Sequence, residues 1–291
     1  MASADRECAI DRVANTDLKD CPITRAAKTS IVALASVTLG ACQPHGAAQP
    51  AVQSAVAEGR TEAGAYRAPP VLLKATPLSD GRLRLTGAAA AGARVRLASP
   101  AGQPLYAQAD GQGVWRIDAP RPSEPRLYGL AMIDGDRVVQ SEGYLVLTGD
   151  GAAAQLRAGA GATVLGGRVD APVIDAIDYD SKGGTVVSGR AAPHAALDLF
   201  VDGARQAGGR ADDDGHFALA LDEPQAFADH VLAIADGPRH IQVQSRLTIA
   251  PPLANGPYRA LATPNGWRLD WVTPGGGLQT TLLLASREGA V

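Results

Sequence analysis

The densest cluster of oxygen donors in the chain is Asp212-Asp213-Asp214-Gly215, with Asp202 one hairpin away. A calcium ion takes about six to eight oxygen ligands, so these four carboxylates are the candidate metal ligands. Turn formation alone also accounts for Asp and Gly in such a run. A second candidate is the pair Trp267 and Trp271, which alternate with Arg268 and Asp270 and therefore share one face of a strand. Two indoles on one face can stack on sugar rings or fill a core, and a chain with 4% aromatics is expected to use them in a core. The histidines His194, His216, His230 and His240 are assigned to turns and strand surfaces. No His-x-x-x-His, Cys-x-x-Cys, Gly-x-Ser-x-Gly or phosphate-loop pattern occurs. No catalytic residue and no cofactor is therefore expected, and an enzyme would need a site assembled from distant residues.

The elements that must position these groups are short strands. The chain has 291 residues with 33 Gly and 20 Pro, which suits frequent turns better than long helices. Its net charge of −3 supplies no basic field, so nucleic acid is not an expected partner. Sliding the chain by 102 residues aligns three blocks: Leu85–Leu97 with Val187–Leu199, Ala109–Trp115 with Ala211–Phe217, and Leu130–Gln140 with Leu232–Gln242. Within each copy, apolar and polar residues alternate with the period of a half-buried strand. Turns are signalled at Ala101-Gly102 and Asp202-Gly203, at Asp110–Gly113 and Asp212–Gly215, and at Asp134-Gly135 and Asp236-Gly237. Trp115 and Phe217 open equivalent strands and are expected to point inward.

The segments "GAAAAGARVRL…GQPLYAQADGQGVWRI" and "GRAAPHAALDLFVDGARQAGGRADDDGHFAL" resemble bacterial Ig-like repeats. The second copy matches more closely, through Pro193, Phe200-Val201-Asp202-Gly203 and Asp212–Phe217, whereas the first has Ala91 where Pro is usual. The resemblance implies an all-β fold with two tandem Ig-like β-sandwich domains, at 69–149 and 176–250. The stretch 150–175 is read as a flexible linker with room for short strands. Residues 251–291 are read as a C-terminal β-meander, turned at Asn265-Gly266 and at Gly275-Gly276-Gly277.

Ahead of the repeats, Arg25 and Lys28 precede the apolar run Ile31–Gly40, which is about half the length a membrane-spanning helix needs. Leu39-Gly40-Ala41-Cys42 comes next and resembles the bacterial lipobox. The resemblance implies that residues 1–41 are a leader and that Cys42 is the lipid attachment point, making the membrane a partner through that anchor. Five acids in residues 1–22, among them Asp5 and Glu7, oppose the positive bias of an export signal, so translation is expected to start near Ile23. Residues 42–68, rich in Ala, Gln, Pro and Gly, are expected to form a disordered, lipidated tether. Gln43, rather than Asp, succeeds the cysteine, which by the same resemblance favours the outer membrane, facing the periplasm. The expected role is a non-enzymatic structural or adhesive envelope module contacting an envelope protein or glycan. The alternatives are a carbohydrate or peptidoglycan binder using Trp267 and Trp271, and an envelope enzyme.

Overall fold

The structure is a computed structural model that describes residues 66–100 and 102–285. The leader, the lipobox with Cys42, the tether up to Ala65, and Ala101 of the first predicted turn lie outside the described residues. Every regular element among the described residues is a strand. The first repeat comprises β1 (Val71–Pro77), β2 (Arg82–Ala88), β3 (Arg94–Ala98), β4 (Leu105–Gln108), β5 (Val114–Pro120), β6 (Arg126–Asp134), β7 (Arg137–Gln140) and β8 (Tyr144–Leu147). A hairpin of β9 (Ala153–Arg157) and β10 (Gly161–Leu165) comes after it. The second repeat comprises β11 (Val173–Asp180), β12 (Thr185–Arg190), β13 (Ala196–Val201), β14 (Ala204–Arg210), β15 (His216–Ala220), β16 (Asp229–Asp236) and β17 (Arg239–Arg246). The tail forms β18 (Tyr258–Thr263), β19 (Gly266–Val272) and β20 (Leu278–Leu284).

Each repeat folds as an Ig-like Greek-key sandwich. In the first, the sheet β1-β2-β5 faces a sheet containing β4-β3-β6-β7; in the second, β15-β12-β11 faces β14-β13-β16-β17. All pairings within them are antiparallel. The alternation of apolar residues explains the layers: Leu83, Leu85, Val95, Leu97, Trp115 and Ile117 meet in one core, and Val187, Leu197, Leu199, Phe217, Leu219 and Ile234 in the other.

Equivalence of the repeats extends to backbone detail. A register shift falls between Leu72 and Lys74 in β1, and between Ile174 and Ala176 in β11, at the same 102-residue spacing. Gly87 and Gly189 lie opposite Trp115 and Phe217 respectively. A Cβ on Gly87 would stand 2.0 Å from the Val71 carbonyl and 2.3 Å from the Trp115 ring. On Gly189 it would stand 2.0 Å from the Val173 carbonyl and 2.8 Å from the Phe217 ring. Only glycine leaves room for the large ring to lie across the strand.

The strands trailing the two sandwiches take different routes. The strand order of the larger sheet in the first repeat is β10-β9-β8-β6-β3-β4, so the hairpin β9–β10 extends that sheet beyond β8. In the second repeat the meander joins the other sheet, giving the order β15-β12-β11-β20-β19-β18. The tail is therefore the expected meander, with β20 hydrogen-bonded along β11 from Ala176↔Leu283 to Asp180↔Gln279. The stretch read as a linker with room for short strands supplies β9 and β10, which pack into a third core. Leu127, Val146, Leu156 and Ala162 from the first side meet Ala176, Leu269, Trp271 and Leu283 from the second. Both β9 and β11 have apolar groups to bury on that side.

Candidate binding surfaces

Trp267 and Trp271 do share a face of β19, and that face is turned into the third core. Trp271 is fully buried. Its Nε1–H donates to Thr281 Oγ1 at 3.0 Å, and its ring meets Tyr144 edge to face, with centroids 5.8 Å apart and planes at 86°. The N–H is satisfied and the ring is enclosed, so Trp271 has no open face for a sugar. Trp267 packs half-buried against the same core.

The other face of β19 is covered as well. Asp270 is fully buried and accepts hydrogen bonds from Arg268 Nε at 2.8 Å, Thr280 Oγ1 at 2.7 Å and the Arg259 guanidinium. Burial pushes this carboxyl up, but the bonds from Arg259, Thr280 and Arg268 outweigh it and hold the group below the usual carboxylate range. Alternation along Trp-Arg-Leu-Asp-Trp tells which side chains share a face. It does not tell that both faces are covered.

Asp178 occupies the layer between the repeats. Its carboxylate accepts from the Ala162 amide of β10 at 2.8 Å, from Gln279 Nε2 at 3.1 Å and from Thr281 Oγ1. Gln279 Oε1 in turn accepts from the Gly159 amide at 3.1 Å, so two groups of β11 and β20 hold the β9–β10 hairpin by its backbone. Burial raises Asp178 to a pKa of about 6, against the pull of its three hydrogen bonds. No feature of the sequence distinguishes this aspartate, because its role depends on a hairpin from the other repeat.

The four candidate metal ligands do not converge. Asp212 Oδ1 accepts from the amides of Asp214 at 3.0 Å and His216 at 2.8 Å. Asp110 does the same in the first repeat, accepting from Gln112 and Val114, both at 2.9 Å. The turn thus needs only its first Asp, which is why the two repeats share that one and not Asp213 or Asp214. Asp202 instead accepts from the Val231 amide at 2.9 Å and pairs with His230 Nδ1 at 2.8 Å. Among the described residues, no three His, Cys, Asp or Glu side chains are placed to hold a metal ion.

His230 departs from its assignment to a strand surface, being buried on β16. Its second ring nitrogen lies 2.9 Å from the Ala226 carbonyl, so both nitrogens face acceptors. Burial pushes the imidazole pKa down, but the Ala226 carbonyl and the Asp202 carboxylate more than compensate and raise it above the ordinary value. His194 sits at positive φ on an exposed turn, 3.7 Å from Asp213, and His240 is exposed on β17.

A groove of about 610 Å³ lies between β17 and the sheet extension formed by β18–β20. Leu282 and Leu284 line its floor, and Ser245, Thr263, Asn265 and Arg268 its sides. No sequence motif marks it, because it forms only where the tail strands overhang β17.

No protein-family profile matches the chain, and no curated protein matches it. Among solved structures, one similar chain is a biofilm-associated protein BSP domain, at 14% identity and a TM-score of 0.22, over 62% of this chain and 30% of that one. Another is the central fibronectin-III array of RIM-binding protein, at 10% identity and a TM-score of 0.25, over 77% of this chain and 88% of that one. Likeness at this level carries no functional argument. The Ig-like assignment rests on the strand order itself.

Proposed function

We propose that the chain is an exported, lipid-anchored module of the bacterial cell envelope that acts by binding or spacing rather than by catalysis. One observation supports the non-enzymatic reading above others: the buried and clustered groups that could do chemistry are consumed by the fold. Asp212 and Asp202 hold turns, His230 has both nitrogens engaged, Trp271 is enclosed, and Asp178 and Asp270 are saturated with donors. A catalytic group has to be reachable by substrate and free to exchange a proton. The shared core between the repeats suits a rigid spacer that carries a binding surface away from the membrane.

The anchor rests on the lipobox resemblance. Cys42 is the attachment point, and Gln43 after it favours the outer membrane, with the module facing the periplasm. Mass spectrometry of the native protein is expected to find lipid on Cys42 and no peptides from residues 23–41. An intact leader, or a Cys42→Ser variant that still fractionates with membranes, contradicts the anchor.

A further inference from the structure

The two repeats differ at one sheet edge, and the difference points to a ligand. In the first repeat, β8 is covered on its outer side by β9, paired from Leu147↔Ala153 to Tyr144↔Leu156. In the second, the end of β17 takes the corresponding place beside β16, pairing Arg246 with Asp229 and Ser245 with His230. No described strand pairs with its outer side, because the meander has gone to β11 on the opposite sheet. The Leu247 amide donates to the Ala228 carbonyl at 2.9 Å, which fixes the register. Odd-numbered residues of β17 therefore face β16, and the backbone N–H and C=O groups of His240, Gln242, Gln244 and Arg246 point to the open side. Of these, only the Gln244 carbonyl has a partner among the described residues, the side-chain Nδ2 of Asn265 at 2.9 Å.

This open edge runs beside the groove of about 610 Å³. A second hollow of about 290 Å³ continues past Asn265, lined by Ile241, Val243 and Leu284. A strand laid along β17 would have backbone partners on one side and Leu282 and Leu284 of the second core beneath it. In the first repeat β9 is likewise embedded, with Ala153 in the sandwich core and Ala154 and Leu156 in the third core. We propose that the outer edge of β17 is a β-augmentation site. Its occupant is an extended peptide segment with small or apolar residues at alternate positions, the pattern of β9. Main-chain hydrogen bonds supply affinity, the floor at Leu282 and Leu284 selects apolar side chains at every second position, and Asn265 holds the place of one strand N–H until the peptide arrives. The site deepens the reading of the chain as a binding module and is independent of the lipid anchor.

The probe is a synthetic peptide of residues 148–165, the segment containing β9 and β10, added to the isotope-labelled full chain while amide signals and their exchange are followed by NMR. Saturable binding tighter than about 1 mM is expected, with slowed exchange at the Gln242, Gln244 and Arg246 amides and shifts at Leu282 and Leu284. Gln244→Pro removes an outward-facing N–H and no bond to β16, so the fold is expected to survive, as an unchanged melting curve would show. Affinity should drop at least about tenfold, the loss of a backbone bond together with the steric block of a proline ring. Asn265→Ala frees the Gln244 carbonyl and should tighten binding by about fivefold. A lack of saturable binding at about 1 mM peptide, binding that maps to another edge such as β4 or β14, or binding indifferent to both substitutions would overturn the proposal. Failure here leaves the lipid-anchored module standing, because Cys42 is tested by mass spectrometry alone.

Discussion

The first and second repeats of this chain have the same seven-strand order, the same register shift in their first strand and the same glycine beneath the same aromatic position. They part only where the sandwich ends. After the first, the hairpin extends the sheet that contains β6; after the second, the meander extends the sheet that contains β11. The divergence does two things at once. It brings β8–β10 face to face with β11, β19 and β20, so that the repeats share a third core, and it leaves the outer edge of β17 without a described strand partner. A duplicated fold has thus acquired unlike halves through the destination of its trailing strands, with the sandwiches themselves left alike.

The largest expected effects come from the aromatic anchors, and they separate the cores. Trp115→Ala removes a fully buried ring from the first sandwich and should cost about 3–5 kcal/mol. Trp271→Ala should cost a similar amount, but from the core both repeats share. In hydrogen exchange, Trp115→Ala is expected to loosen β2 and β5 most, and Trp271→Ala to loosen β8–β10 together with β19 and β20. If Trp271→Ala loosens only the tail strands, the third core is not shared.

Asp270→Ala is expected next, at about 3 kcal/mol by denaturant titration, because it takes from Arg259 and Arg268 the buried carboxylate they share. The cluster lies on β18, β19 and β20, so the loss should appear in the second repeat and its tail.

A smaller effect concerns pH and the layer between the repeats. Asp178 titrates near 6 when folded, above its ordinary value of 3.8, so the folded chain binds the proton more tightly than the unfolded chain. Its contribution therefore raises stability as pH falls from about 6 to about 4, by up to about 2–3 kcal/mol. Asp178→Asn should remove that rise and be no less stable than the parent at about pH 8, where the parent keeps a buried charge. A pH profile unchanged by Asp178→Asn would show that the carboxylate is solvated and the layer open.

The smallest effect belongs to His230, whose pair of acceptors favours the protonated ring. A raised pKa means that its stabilisation is complete below the ordinary value of 6.5 and lost as pH rises through the folded value. His230→Gln should cost about 1 kcal/mol near pH 6 and less near pH 9. Equal losses at both values would show that the ring is neutral throughout.

Much of this fold is legible in the residues. The 102-residue spacing, the Asp-Gly turns and the alternation around Val95 and Leu197 identify two sandwiches, and Trp267, Leu269 and Trp271 are correctly placed on one face. Destination is the part that cannot be read. Alternation says that Leu283 and Leu156 each need a partner; it does not say that they share one core. The stretch from Gly151 to Gly167 reads as a linker with room for short strands; what it does not announce is that small residues such as Ala154 and Ala162 let its hairpin lie close against a neighbouring sheet. Asp178 and the groove beside β17 are hidden for the same reason, since both arise only after the tail has chosen its sheet.

The shared core is the central claim, and calorimetry of the full chain tests it most directly. If β8–β10, β11, β19 and β20 are packed as one layer, the two repeats should unfold in a single transition with matching calorimetric and van't Hoff enthalpies. Trp271→Ala should lower that transition for both. Two separable transitions in the parent chain, with Trp271→Ala moving only one of them, would contradict it.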